Sequence, residues 1–145
     1  MSDTTSTIKD LLQTLEDGKD GFQKASESVK DSQYKTLFAG FSAERQEMIN
    51  ELVAYSSADH SDAKSTITGA LHRGWINLKA ALTSGDDHAI LAECERGEDH
   101  AVAEFRKALQ EPLPSDALAT VESISTRILA VHNQVRDLRD AAKVS

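Results

Sequence analysis

A single cysteine, Cys94, stands among 145 residues, which excludes an internal disulfide and fits a reducing compartment. Two prolines and seven glycines are too few punctuators for a strand-and-turn fold of this length. No stretch approaches the roughly 18 consecutive apolar residues of a membrane span. The start, MSDTTSTIKD, lacks the basic segment and apolar run of a signal peptide. Bases are the minority charge, 16 against 24 acids, and they form no block, so a nucleic-acid partner is disfavoured. The expected setting is the cytoplasm, without a membrane or nucleic acid as partner. Gly-x-Ser-x-Gly, Walker and dinucleotide-binding signatures are also missing.

What remains is rich in Ala, Leu, Glu, Lys, Gln and Arg, all good helix formers. A chain of this length can bury a core as one domain without staples. Apolar residues recur at helical spacing in five stripes. The first is Ile8, Leu11, Leu12, Leu15, Phe22, Ala25 and Val29, with Thr7 and Asp10 spaced for a capping box. After a break near Lys30, with Asp31 and Ser32 as candidate N-caps, come Tyr34, Leu37, Phe38, Phe41, Met48, Leu52 and Tyr55. A shorter stripe, Ile67, Leu71, Trp75, Leu78 and Leu82, ends at Ser84-Gly85-Asp86-Asp87. The fourth holds Ile90, Leu91, Cys94, Ala101, Val102, Phe105 and Leu109, and stops at Pro112-Leu113-Pro114. The last, opened by Ser115-Asp116, carries Val121, Ile124, Ile128, Val131, Val135 and Leu138. The spacing predicts helices over roughly 7–30, 32–56, 63–83, 86–110 and 115–142. They would form an all-α antiparallel bundle of four long helices, with the shorter helix in a crossover over residues 60–85.

At about 100° per residue, Glu98 falls near the centre of the fourth apolar stripe, and a buried carboxylate must be paired, protonated or metal-bound. Glu95 lies at the edge of that face, while Glu93, Asp99, His88 and His100 point away. Arg45 falls inside the second stripe with Glu44 on its flank, and His132 lies at the edge of the last. The first helix presents no acid inward, since Glu16, Asp17 and Asp20 fall outside its stripe. Gly18 and Gly21 indicate a close helix approach or a kink. Cys94 reads as an inert buried thiol and His72 as a packing residue.

The stretches Leu15–Phe22, Leu71–Lys79, Glu93–Asp99 (with Glu95-Arg96-Gly97-Glu98-Asp99 at its end) and His132–Arg139 resemble an uncharacterised bacterial ferritin-like four-helix-bundle family, a domain of unknown function. The resemblance implies a ferritin-like fold and a stress or stationary-phase setting, and brings no established activity. Where members often carry Gly-Gly-x-Pro before the crossover, this chain has Ser57-Ala58-Asp59-His60.

Ferritin-like di-iron centres take Glu-x-x-His pairs, which place both ligands on one helical face. No histidine here has a glutamate three residues before it. A di-iron oxidase is therefore the least favoured function, and the chain leans toward a non-enzyme. Two accounts of the inward polar group compete. One is a metal site of Glu44, Glu95, Glu98 and His132 for iron, manganese or zinc. The other is a buried Arg45–Glu98 ion pair with no cofactor, in a module that forms a homo-oligomer or docks a partner, its surplus apolar surface lying around Trp75.

Overall fold

The computed structural model describes residues 2–56 and 75–144. Five helices and no strands occur among them: α1 (Ser2–Ser28), α2 (Ser32–Val53), α3 (Leu78–Thr83), α4 (Asp87–Ala108) and α5 (Ser115–Val144). The part of the crossover expected over 63–74, His72 included, and the Ser57–His60 link lie outside the described residues. No described helix is long and apolar enough to cross a membrane.

Three of the expected boundaries hold for the reasons given. Asp31 caps α2 by accepting the Gln33 N–H at 2.8 Å, and Asp86 caps α4 by accepting that of His88 at 2.9 Å. Gly85, at φ 71°, supplies the left-handed step before Asp86. The prolines release the chain before α5, whose first turn opens with Leu118 N–H bonded to the Pro114 carbonyl at 2.8 Å. The first boundary differs. α1 begins at Ser2, so Thr7 and Asp10 are interior positions and cap nothing. Polar residues with no stripe of their own extend the helix, since continuing it adds one hydrogen bond per residue once a nucleus exists.

α1 lies against α2 and α4, and α5 lies against α4 and α2, so each long helix has two long neighbours. The α1–α2 turn is tied to the start of α4 by Asp87, whose carboxylate accepts the N–H groups of Lys30 at 2.8 Å and Asp31 at 3.0 Å. Lys35 reaches back to the Ser26 and Glu27 carbonyls, giving the C-terminus of α1 the cation its own last turn lacks.

The apolar stripes bury as two separate groups. One gathers Ile8, Leu12, Met48, Leu52, Phe105 and Ile124 with their neighbours. The other gathers Phe22, Phe38, Trp75, Leu91, Cys94 and Val135 with theirs. Between them sits a polar layer. On α2, Arg45 falls between Phe41 and Met48; on α4, Glu98 falls between Cys94 and Ala101; on α1, Gly18 falls between Leu15 and Phe22.

α3 and the turn before it, Trp75–Asn77, cover the outer side of α1 and α4. Trp75 is 2% exposed, and its indole lies where a Cβ on Gly21 would come within 2.6 Å and one on Gly97 within 2.2 Å. Both glycines are therefore spacers for one ring, and α1 runs as one helix through Gly18 and Gly21. Burial also removes Trp75 itself as a surplus docking surface, while its neighbour Ile76 is exposed.

Candidate functional site

The centre of the polar layer is a buried ion pair. Arg45 and Glu98 are both fully buried, and Arg45 Nη2 donates to Glu98 Oε1. The guanidinium also faces the Phe22 ring, 5.5 Å from its centroid, and Met48 Sδ at 3.9 Å. Gly18 makes room for it, since a Cβ there would stand 2.8 Å from Arg45 Nε. Glu98 Oε2 and Arg45 Nε have no hydrogen-bond partner among the described residues. Burial pushes the Glu98 carboxyl above the usual carboxylate range; Arg45 and, more weakly, His132 pull it back, and Glu44 adds to the rise. A ferritin-like dimetal centre needs a carboxylate-rich interior. A fixed guanidinium in that place opposes a cation, so the interior does not fit one.

A second group lies at the α4–α5 interface. Glu95, Asp99 and His132 each offer a ligand atom, and the three atoms all lie within 4.8 Å of one another. His132 Nε2 is 2.5 Å from Asp99 Oδ1, and its Nδ1 is 3.3 Å from Asn133 Oδ1. Glu95 accepts from Arg139 Nη1, which reaches back along α5. Glu95 and Asp99 are four residues apart, so they share a face of α4, and α5 brings the imidazole to them. Of the four candidate ligands, the structure brings Glu95 and His132 together with Asp99. It leaves Glu98 on Arg45, and Glu44 outside the group, half-buried on α2.

Three acids escaped the sequence reading. Asp99, expected to be solvated, holds His132, and its i, i+4 spacing from Glu95 was the available signal. Glu93, also expected to point outward, is 3% exposed. The Trp75–Asn77 turn gives α4 a second covered face, and Glu93 Oε2 accepts the Asn77 N–H at 2.9 Å. Arg96 lies 3.7 Å from Glu93 Oε1, and the Asn77 amide, with its oxygen turned toward Arg96, accepts from the same guanidinium. Burial pushes the Glu93 carboxyl up, the Asn77 N–H and Arg96 offsetting part of the rise. Gly97, one turn from Glu93, was the signal for that second face. Asp17 on α1 is buried too, and accepts from Gln13 Nε2 at 2.8 Å. Cys94 agrees with expectation: it is fully buried, and burial, with Glu98 and Glu93 nearby, drives its thiol well above the usual range.

No curated protein matches the chain. A family model does match, over residues 3–111, a span that contains Gly18, Arg45, Glu95, Glu98 and Asp99 but stops short of α5, which carries His132 and Arg139. On that match, the chain belongs to the family described as a domain of unknown function, DUF2383.

Proposed function

We propose that this is a ferritin-like bundle protein that binds one transition-metal ion through Glu95, Asp99 and His132. Its interior is closed by the Arg45–Glu98 ion pair, with no dimetal centre there. The observation that carries the reading is the convergence of two carboxylates and an imidazole within 4.8 Å. One nitrogen and two oxygen donors suit zinc, iron or manganese, and solvent completes the coordination. The Asn133 side chain at Nδ1 is the outer partner that would hold the ring with Nε2 toward the ion. Redox chemistry on oxygen is not part of this reading, and neither is a bacterial cofactor beyond the ion. The protein would work in the cytoplasm, in the stress setting that the family resemblance implies.

Metal-stripped protein, dialysed against zinc, manganese or anaerobic Fe(II), should take up about one equivalent of at least one ion. His132→Gln and Asp99→Asn should each weaken that uptake at least ~10-fold, the effect expected from losing a ligand or its support. Glu98→Gln should leave it unchanged. Uptake abolished by Glu98→Gln but not by His132→Gln would move the ion to the interior. No uptake by the wild type would end the metal reading and favour an interaction module keyed by the Arg45–Glu98 pair.

A further inference from the structure

We infer that Arg139 is a built-in competitor for this site, and that loading with a zinc-class ion exchanges one cation for another. This rests on the metal reading above. Helical side chains lean toward the N-terminus of their helix, so Arg139 points back toward His132, two turns before it. Its guanidinium meets Glu95, the one proposed ligand that His132 does not hold. Without metal, the two carboxylates are thus already served by two resident groups, Arg139 on Glu95 and His132 on Asp99. These same two contacts join α4 to α5 at this height.

A divalent ion among Glu95, Asp99 and His132 would share Glu95 with a guanidinium, and two cations on one carboxylate repel each other. Arg139 has somewhere to go. A third of its side chain is open to solvent, its Nε has no hydrogen-bond partner among the described residues, and Asp140 and Asp99 both act on its charge. Leaving Glu95 costs it one charge-assisted bond and lets water reach the unmatched nitrogen. The ion must displace this arginine and give up its own water, which selects borderline ions with affinity for imidazole over magnesium, which dehydrates reluctantly.

Zinc titration by calorimetry of the metal-stripped full-length chain tests this with four variants, each checked for helicity. Arg139→Gln removes the competitor and should tighten zinc binding about tenfold. Arg139→Lys, a point charge without the guanidinium fork, should fall between that variant and the wild type. Arg136→Gln removes a cation of α5 whose partner is Asp137, and should shift the affinity by less than about twofold, because it touches no ligand. His132→Gln should abolish binding, and a large excess of magnesium should not compete. An unchanged or weaker affinity in Arg139→Gln, with wild-type binding intact, would overturn the competitor and leave the site standing. Equal tightening in Arg136→Gln would reduce the effect to general charge and overturn it as well. Zinc binding that is absent, or indifferent to His132→Gln, would remove the site itself and the competitor with it.

Discussion

Replacing Glu98 by leucine should damage this protein more than replacing Glu98 and Arg45 together. Both side chains are fully enclosed, so the single variant leaves a guanidinium facing Phe22, Met48 and the new leucine with no anion. Breaking a buried pair from one side costs roughly 3–5 kcal/mol. That is a large share of the roughly 5–15 kcal/mol that holds an ordinary domain folded. For a chain of this size it corresponds to a fall in melting temperature on the order of 10–15 °C. Arg45→Met alone strands the Glu98 carboxyl, which can take up a proton, so its cost should sit at about 3 kcal/mol, the lower end. Methionine is unbranched and fits the slot beneath Gly18 that the arginine stem occupies. The pair Arg45→Met with Glu98→Leu joins the two apolar groups into one and should return to within about 1–2 kcal/mol of wild type, or exceed it. Urea unfolding followed by far-ultraviolet circular dichroism gives all four corners of the cycle. Single variants that each cost under about 1 kcal/mol would refute the argument. So would a double variant as unstable as the sum of its parts, since the layer would then be held by something other than this pair.

Two further outcomes concern the titration of Glu98 and the helix glycines. Burial raises the Glu98 carboxyl in the folded chain, so its stabilising contribution is complete below the unfolded pKa and is lost as pH rises through the folded one. Glu98→Gln does not titrate, so it should gain on wild type as pH rises from about 4, the unfolded value, through the raised folded one, with Glu93 contributing equally to both; a stability difference that stays flat as pH rises would contradict the direction of the shift. Glycine-to-alanine changes in two helices should have opposite signs. Gly40 on α2 has no described residue against the place of its Cβ, and Gly40→Ala should stabilise by about 0.5–1 kcal/mol. Gly97→Ala drives a methyl into the Trp75 ring and should cost about 1–3 kcal/mol despite the same propensity gain; equal signs in thermal melts would show that the ring can move aside.

The sequence made the helices legible because a core-facing stripe is a repeated signal. Ile8 through Val29 and Val121 through Val135 are buried as their spacing requires. Arg45 and Glu98 were legible too, as charges interrupting such stripes. What a stripe does not reveal is a helix with more than one covered side. The wheel of α4 assigns Glu93 to solvent because it considers only the face of Leu91, Cys94 and Glu98, whereas the turn at Asn77 closes the other face. Asp99 was lost for a related reason. It is exposed, as the wheel says, yet α5 passes close enough for His132 to reach it. Long-range partners of this kind follow from how helices are arranged around one another, and periodicity along one helix does not contain that arrangement. The two α1 glycines were legible as a close approach, but their partners, an arginine on α2 and an indole from the crossover, were not.

That indole has a consequence for how the sequence can change over time. Gly21, Trp75 and Gly97 come from three separate parts of the chain, yet they fill one volume. Either glycine can grow only by pushing the tryptophan ring aside at a cost in stability, and a smaller residue at 75 leaves a void between two bare helix backbones. A lineage drifting away from this arrangement would pass through less stable intermediates unless the three positions changed nearly together. The three residues therefore behave as a single inherited character, and a chain of this fold should either keep the whole set or lack it.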